Sequence, residues 1–132
     1  MSSFKFRVIT PYGEFFNGLV ETVNIKTKEG RIGILKNHIP LVSPVEISIL
    51  YFKVEGVEKK CSISDGILYI GEEETRVIAN ACEYPEDINI ERALESKRRA
   101  EARIAKANEG NIDLKRAECS LKRAMNRIEV TK

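Results

Sequence analysis

The chain has few of the side chains that bind metals or form disulfides. Its 132 residues include three cysteines, Cys61, Cys82 and Cys119, and a single histidine, His38. An odd number of widely spaced cysteines indicates a reducing compartment rather than a disulfide framework. A zinc site needs several Cys or His ligands at suitable spacing, and neither CxxC nor HxxxH occurs. We therefore expect no metal site, and a structural or contact role for His38.

The motifs of common enzymes are missing as well. Neither GxxxxGK[ST] nor GxGxxG occurs, so the sequence predicts no phosphate-cradling loop. Catalysis by a cysteine needs a neighbouring base, and no pattern joins the single histidine to a cysteine. The acidic run Glu72-Glu73-Glu74 is most simply a solvated hairpin tip. We therefore predict that the chain is not an enzyme and requires no cofactor.

Long apolar segments are also absent. No apolar run approaches the roughly 18 residues that span a bilayer, so we expect no direct membrane insertion. The opening residues, MSSFKFR, alternate charged and apolar side chains, which predicts that no signal peptide begins the chain. Hydrophobic residues make up 42% of the sequence and charged residues 32%, as in globular rather than disordered proteins. These features predict a globular protein on the cytosolic side.

The residues that are present divide the chain in two. All nine aromatic residues, all four prolines and seven of the eight glycines lie before residue 88. Residues 1–84 hold 10 Lys/Arg and 11 Asp/Glu, whereas residues 85–132 hold 12 and 9, a net charge of +3. We predict one domain over 1–84 and a second, mildly basic domain over 85–132 that favours an acidic or phosphate-bearing partner.

The first part has the pattern of short β-strands. Phe4, Phe6 and Val8 alternate with Lys5 and Arg7, a period of two that marks a strand with one buried face. Similar runs occur at 22–26, 47–54, 60–64, 67–70 and 76–80. Turn signals separate them at Pro11-Tyr12-Gly13, Asn17-Gly18, Glu29-Gly30, Glu55-Gly56 and Asp65-Gly66. Many short strands between regular turns predict a mostly antiparallel sandwich or barrel.

The second part has the pattern of a helical hairpin. Apolar residues recur at heptad-like spacing in two series: Ile90, Ala93, Ala100, Ile104 and Ala107, then Leu114, Ala117, Leu121, Ala124 and Ile128. They predict antiparallel helices over roughly 89–107 and 112–130. Asp87 or Asn89 can cap the first helix, Asp113 falls in the first turn of the second, and Gly110 suits the end of a helix. Because alanines bury little apolar area, such a hairpin is marginally stable alone.

The basic face of this hairpin allows several interpretations. Arg92 and Arg99 are seven residues apart, and Arg116, Arg123 and Arg127 lie near one stripe. The face can be a solvated surface, a nucleic-acid site, or a guanidinium cluster that binds a small phosphate ligand or an acidic protein surface. The absence of aromatic residues for base stacking, and a net charge of only +3, argue against nucleic acid. Physical reasoning does not choose between the other readings.

Three segments resemble one protein family. "GRIGILKNHIPLVSPVEIS" (30–48), "SDGILYI" (64–70) and "NIDLKRAECSLKRAMNRIEV" (111–130) are similar to the epsilon subunit of bacterial F-type ATP synthases, in the same order and spacing. The likeness extends from Phe4 to Val130, with Lys36 at a position where the family often has proline. The family has an antiparallel β-sandwich of about ten strands followed by a two-helix hairpin, which agrees with the patterns described above.

The resemblance implies a non-catalytic, regulatory subunit of the central stalk. Its partners would be the gamma subunit, the ring of c subunits and the alpha/beta catalytic head, with no nucleic acid among them. Its location would be peripheral, on the cytoplasmic face of the bacterial cell membrane. Its sandwich would couple the head to the ion-translocating ring, and its helices would extend and inhibit ATP hydrolysis.

The resemblance also implies contact residues. Arg31, Gly33, His38 and Pro40 match the loop that faces the c-ring and the gamma subunit. Arg116, Lys122 and Arg123 match the basic face that meets an acidic segment of the catalytic beta subunit.

The hexapeptide "INIERA" (88–93) relates to a further property of the family. Some bacterial members bind ATP at the folded hairpin through a motif I/L-D-x-x-R-A. Ile88, Arg92 and Ala93 match this motif, whereas Asn89 stands in place of the aspartate. Glu83, Arg99, Arg123 and Arg127 fall where the family's site has matching residues. The resemblance therefore implies regulatory ATP, bound weakly because the aspartate is missing.

Overall fold

The computed structural model describes residues 2–106 and 113–132 and divides into two compact units. The first unit ends at Tyr84, and the second begins at Pro85. The predicted Asn108–Asn111 connection, the helix-ending Gly110, and the helix ends expected at 107 and 112 lie outside the described residues.

The first unit is built from strands, and four of the five turn signals in the sequence, all except Asn17-Gly18, lie where one strand ends and the next begins. Its ten strands are β1 (Phe4–Thr10), β2 (Gly13–Val20), β3 (Thr22–Thr27), β4 (Gly30–Ile34), β5 (Leu41–Val45), β6 (Ser48–Val54), β7 (Val57–Ile63), β8 (Gly66–Ile70), β9 (Glu74–Ala79) and β10 (Cys82–Glu83). The turns at Pro11-Tyr12 and Glu55-Gly56 join β1 to β2 and β6 to β7. Glu55 and Gly56 both have positive φ, as a tight hairpin requires.

The strands follow the order β10-β7-β6-β3-β5-β8-β9-β1-β2, and β4 pairs with β3 beside this path. Within the described residues, β1 and β9 form a parallel pair and the remaining pairs are antiparallel. Strand β2, at one end of the path, approaches β6, the third strand from the other end, through aromatic rings: Phe16 on β2 lies 4.7 Å from Phe52 on β6, centroid to centroid. Phe6 on β1 lies 5.8 Å from the same ring.

The core follows the predicted alternation. On β3, Val23 and Ile25 are buried while Asn24 and Lys26 are exposed, as the period of two requires. The inward side chains form one cluster: Phe6, Val8, Val20, Val23, Ile25, Ile34, Val45, Leu50, Phe52, Cys61, Ile63, Leu68, Ile70, Val77 and Ala79. Every member comes from the first unit, so this unit has a hydrophobic core of its own.

One predicted turn is wrong. Asn17-Gly18 lies inside β2, where Gly18 pairs with Phe6 and Asn17 pairs with Arg7. A β-carbon on Gly18 would approach Cζ of Phe16 to 3.3 Å, so glycine gives room for that ring. Side-chain packing within a strand explains the glycine at this position, and the backbone conformation of a turn does not.

The second unit contains two helices that pack against each other, α1 (Ile90–Ala105) and α2 (Leu114–Val130). A single 3-10 turn, Pro85–Asp87, precedes α1. The N-cap of α1 is Asn89, with φ −82° and ψ 103°, so the helix begins one residue later than predicted. Asp113 is the N-cap of α2 rather than a residue of its first turn. Lys106 closes α1.

The buried residues of the helices are small. They are Ala93 and Ala100 on α1, and Ala117, Ala124 and Val130 on α2. The predicted fold class, a sandwich of about ten strands followed by two helices, is confirmed. Neither helix, over the residues that the structure describes, is long and apolar enough to span a membrane.

Candidate functional site

A cavity of about 510 Å3 opens in the first unit beside the link between β4 and β5, and we call it the loop cavity. On one side its wall comes from the β4–β5 link, including Leu35, Lys36 and His38. On the other side it comes from the β8–β9 turn, with Glu72 and Glu73. The remaining lining residues are Ser3, Phe4, Lys5, Leu19, Asn37, Pro40, Ile70, Gly71, Glu74 and Thr75.

The β4–β5 link holds a fixed turn. The backbone N–H of His38 donates to Leu35 O at 3.2 Å, and Asn37 has a φ of 66°, in the left-handed region that asparagine tolerates. The imidazole Nδ1 of His38 lies 2.7 Å from Ile39 O. The ring is thus positioned by the carbonyl group of the next residue. Within the described residues no three His, Cys, Asp or Glu side chains are grouped to hold a metal ion.

Large apolar side chains are exposed to solvent around this turn. Leu35 and Leu19, which line the cavity, are 61% and 63% exposed, and Ile39, which follows the lining residue His38, is 75% exposed. Single exposed apolar residues are ordinary on protein surfaces, but several around one concave site mark an interaction surface. We call Leu19, Leu35 and Ile39 the apolar rim.

The four residues predicted to form the contact loop separate in the structure. His38 and Pro40 line the loop cavity, whereas Arg31 and Gly33 lie on β4 and do not. Arg31 Nη1 donates to Asn24 Oδ1 at 2.5 Å, and its Nη2 donates to Ile49 O at 2.8 Å. Its guanidinium carbon also lies 5.4 Å from the Tyr51 ring centroid. Arg31 therefore ties β4 to β3 and β6 through neutral oxygen atoms and an aromatic ring, while the residue stays exposed.

Gly33 differs from the glycines of turns. Its φ is not positive, and a β-carbon built there would meet nothing within 4 Å. It is exposed and pairs with Asn24. Neither backbone conformation nor packing inside the chain requires a glycine at this position.

An ion-pair network borders the cavity through Glu74. Arg7 on β1 lies 3.5 Å from Glu74 and 3.0 Å from Glu14. The hydrogen bond to Glu14 raises the pKa of Arg7, and hydrogen bonds from Asn17 and Arg7 lower the pKa of Glu14. Glu72 and Glu73 are exposed in the turn, as expected for a hairpin tip, but Glu74 begins β9 and is half-buried.

The predicted inhibitory face spreads over a wide sector of α2. Arg116 and Arg123 are seven residues apart and share a side of the helix, whereas Lys122 is turned from Arg123 by about 100°. Arg116 and Lys122 are exposed, and Arg123 is half-buried. The backbone N–H of Arg116 donates to Asp113 Oδ1 at 3.1 Å, so this residue also belongs to the cap of α2.

The residues of the ATP motif lie at the start of α1. Asn89 Oδ1 accepts from the backbone N–H of Arg92 at 3.1 Å, so the residue that departs from the motif serves as the helix cap. Ala93 is buried, whereas the side chains of Arg92 and Arg99 are exposed on one side of the helix. Arg99 Nη2 donates weakly to Ser96 Oγ at 3.4 Å.

The remaining predicted ATP residues belong to other elements. Ile88 lies between the 3-10 turn and the cap, and Arg123 and Arg127 are on α2. Glu83 is on β10, opposite Ser62, and belongs to the first unit. The predicted set is thus divided between the two units.

Sequence reasoning missed the apolar rim and the contacts of Arg31. A signal for the rim exists in "ILKNHIPLV" (34–42), where apolar residues flank a polar turn that ends in proline, a pattern unsuited to a fully solvated link. The contacts of Arg31 depend on neighbours from two other strands, β3 and β6, and no local sequence pattern predicts them.

Comparisons with known proteins agree along the entire chain. The family model for the ATP synthase Delta/Epsilon chain beta-sandwich domain matches residues 3–85. The model for the long alpha-helix domain of the same family matches residues 86–132. The ATP synthase epsilon chain of Halalkalibacterium halodurans is 41% identical over 130 residues, which are 98% of this chain and 98% of that one.

Solved structures show the same fold at lower identity. A chain of the Euglena gracilis mitochondrial ATP synthase, in an OSCP/F1/c-ring structure, superposes with a TM-score of 0.78 at 18% identity. The match covers 96% of this chain and 79% of that one. A chain from the central stalk/c-ring structure of the Tetrahymena thermophila mitochondrial enzyme gives 0.65 at 16% identity, covering 99% and 98%. This chain therefore belongs to the family of ATP synthase delta/epsilon chains, with the β-sandwich domain of that family followed by its long α-helix domain.

Proposed function

We propose that the chain is a non-catalytic subunit of the central stalk of a bacterial F-type ATP synthase. Its first unit would contact the gamma subunit and the c-ring, and its helices would restrain ATP hydrolysis by the alpha/beta head. The observation that carries this proposal is the match of both family domains, in order, over residues 3–132. The proposed location is the cytoplasmic face of the bacterial cell membrane, reached through the c-ring.

The apolar rim supports the contact with a protein partner. Three large side chains are each more than 60% exposed: Leu19 and Leu35 line the loop cavity, and Ile39 lies in the chain between its lining residues His38 and Pro40. Full burial of a side chain of this size contributes about 1.5–3 kcal/mol, so covering the rim supplies a substantial share of a binding free energy. The exposed Gly33 supports the same contact, since a residue without a side chain lets a partner's backbone approach closely.

The charge of the second unit supports the inhibitory contact. Residues 85–132 carry a net charge of +3, and Arg116 and Lys122 are exposed on α2. An acidic segment of the catalytic beta subunit is the proposed partner of this face. Each exposed ion pair contributes about 0–1 kcal/mol, so the contact depends on several charges acting together.

Binding of regulatory ATP is the most specific part of the proposal. The arginines of α1 and α2 provide guanidinium groups suited to phosphates. Asn89 caps α1 as an aspartate would, but it lacks the charge that could orient an arginine. We therefore propose weak binding, in which ATP favours the folded state of the helices.

Co-assembly tests the stalk proposal. The full chain is expressed with the alpha, beta and gamma subunits of its own organism, and the purified complex is analysed for subunit content. We expect one copy to join the complex. Leu35→Lys should weaken this assembly because it places a charge in the covered rim.

Val57→Lys is a matched control. Val57 is also 61% exposed, but it lies on β7 at the Glu55-Gly56 hairpin, away from the loop cavity. Both variants should fold alike. Absence of the wild-type chain from the complex, or equal loss of assembly in both variants, would contradict the proposal.

A further inference from the structure

Two of the three cysteines lie side by side in the first unit. Cys61 is on β7 and Cys82 is on β10, and their sulfur atoms are 3.3 Å apart. Strand register explains the proximity: Cys82 pairs with Ile63, which is two residues beyond Cys61 and points to the same face. The pairing of β7 with β10 thus brings the two cysteines together, although 20 residues separate them in the sequence.

The two thiols differ in their surroundings. Cys61 is fully buried in the core, while Cys82 is half-buried on the short strand β10. The thiol of Cys82 donates to Cys61 Sγ. This hydrogen bond, together with burial, raises the pKa of the Cys61 thiol. Cys82 is therefore the thiol that a reagent from solution reaches first, and Cys61 is held behind it.

We propose that Cys61 and Cys82 form a reversible disulfide when the chain meets a small-molecule disulfide such as glutathione disulfide. A disulfide needs its sulfur atoms at about 2.05 Å, so the pair has to close by roughly 1.2 Å. Rotation of the Cys82 side chain supplies this movement most readily, because β10 has only two residues and lies at one end of the strand order.

The reaction proceeds by two exchanges. The thiolate of Cys82 attacks one sulfur of the small-molecule disulfide, which forms a mixed disulfide and releases one thiol that carries the proton of Cys82. Cys61 Sγ then attacks Cys82 Sγ, and its proton leaves with the second released thiol. Two protein thiols are oxidised to one disulfide, and one small-molecule disulfide is reduced to two thiols.

The bond would fasten the last strand of the first unit. β10 pairs with β7 through Cys82 and Glu83, and the unit ends one residue later, at Tyr84. A strand of two residues has little hydrogen bonding to prevent fraying. Covalent attachment to the buried Cys61 would hold β10 against β7 and restrict the unfolded chain as well. This modification does not depend on the proposed stalk function.

The experiment uses the full chain with Cys119→Ser, which leaves the two cysteines of the proposed pair. The reduced protein is incubated with glutathione disulfide, free thiols are alkylated, and the mass is measured. We expect loss of both thiols, a mass lower by two hydrogen atoms than that of the reduced protein, and no glutathione adduct. Non-reducing tryptic digestion should yield residues 61–76 linked to residues 77–92.

Thermal unfolding gives a second readout. Closing this loop should raise the unfolding midpoint of the oxidised chain by about 5–10 °C, and a reductant should reverse the rise. Cys82→Ser is the control, in which Cys61 should stay reduced and the midpoint should not respond to glutathione disulfide. A stable adduct on Cys82 with Cys61 still reduced, or a link only between two copies of the chain, would overturn the proposal.

Discussion

At the scale of the residue, Gly33 is not required for folding, and its proposed role is in assembly. Its β-carbon position is open and its φ is not positive, so alanine fits the isolated chain. Glycine in a strand costs roughly 0.5–1 kcal/mol relative to alanine. Gly33→Ala should therefore stabilise the isolated chain by up to that amount, while weakening its assembly with the stalk.

Urea unfolding and subunit content of the purified complex measure these two effects. Gly66→Ala is the contrasting variant, because a β-carbon there would lie 2.0 Å from Ile78 O and damage the fold itself. If Gly33→Ala assembles as well as wild type, no partner backbone approaches β4 at this position.

Asn89 and Asp113 form a natural pair of helix caps. Each side chain accepts the N–H of the residue three positions later at 3.1 Å, and they differ in charge. An aspartate at 89 can cap α1 with one oxygen and orient an arginine with the other. A charge-assisted bond is roughly twice as strong as a neutral one, so Asn89→Asp should tighten ATP binding by about fivefold.

Calorimetric titration of ATP into both proteins checks this prediction. The change also favours the helix dipole by about 0.3–1 kcal/mol, so Asp113→Asn serves as a control that alters a cap charge on α2. That control should leave ATP affinity unchanged. At ten times its dissociation constant, ATP stabilises the state it binds by about 1.4 kcal/mol. Equal affinities of wild type and Asn89→Asp would refute the proposed orienting role.

At the scale of the element, sequence reasoning succeeded where one local rule governs the backbone. β3 alternates strictly because one face meets the core, Phe6 and Val8 of β1 are buried for the same reason, and α1 and α2 begin at side chains that can accept backbone N–H groups. It failed at β2, where Asn17-Gly18 resembles a turn but Gly18 makes room for Phe16. It also could not place Cys61 beside Cys82, since that neighbour relation exists only once β7 and β10 have paired.

The candidate site was predictable only in part for the same reason. The position of His38 in a turn follows from local sequence, and the structure places it there beside the loop cavity. Arg31 remains a predicted contact residue, and the structure adds that its guanidinium group donates to Asn24 Oδ1 and Ile49 O. These partners are long-range strand neighbours, which leave no periodic signal in the sequence.

The helix α2 offers a test of the electrostatic contact. Replacing Arg116, Lys122 and Arg123 by Gln removes three charges from the proposed partner surface. We expect ATP hydrolysis by the assembled complex to rise by up to about tenfold, equivalent to about 1.4 kcal/mol, because exposed pairs contribute about 0–1 kcal/mol each. The rise should shrink with added salt, since salt screens exposed charges.

The matched control removes three charges from α1 instead. Arg98, Arg103 and Lys106 are exposed, and Arg98 pairs with Glu95 of its own helix at 2.6 Å. Gln at these positions changes net charge equally without touching α2. Similar hydrolysis rates in the two triple variants would mean that overall charge, and not this face, controls the enzyme.

At the scale of the whole molecule, the first unit has its own core, so its proposed role in assembly can be tested apart from the proposed inhibitory role of the helices. The cluster from Phe6 to Ala79 lies within that unit, and Tyr84 stacks on Phe15 with ring centroids 4.6 Å apart. A chain that ends after Tyr84 keeps all these contacts. It should therefore unfold cooperatively and still join the stalk complex.

Hydrolysis by that complex should equal or exceed the rate with the full chain, because the proposed inhibitory helices are absent. A shorter chain that ends after Ala81 is the comparison, since it also loses β10 and the Phe15–Tyr84 stacking and should be less stable. Failure of the Tyr84 chain to assemble, despite normal folding, would show that the helices are needed for attachment.

The parallel pairing of β1 with β9 limits how early the sheet can be completed while the chain is synthesised. Lys5 pairs with Glu74, so the first strand waits for a partner that emerges from the ribosome late. At about 5–20 residues per second, the wait is roughly 3–14 seconds, during which β1 has β2 on one side and an unpaired edge on the other. Pairings this distant in sequence slow folding. The sheet can therefore close only after translation has passed residue 74. On a ribosome that stalls earlier, the nascent chain keeps an unpaired edge on β1 that can pair with another chain.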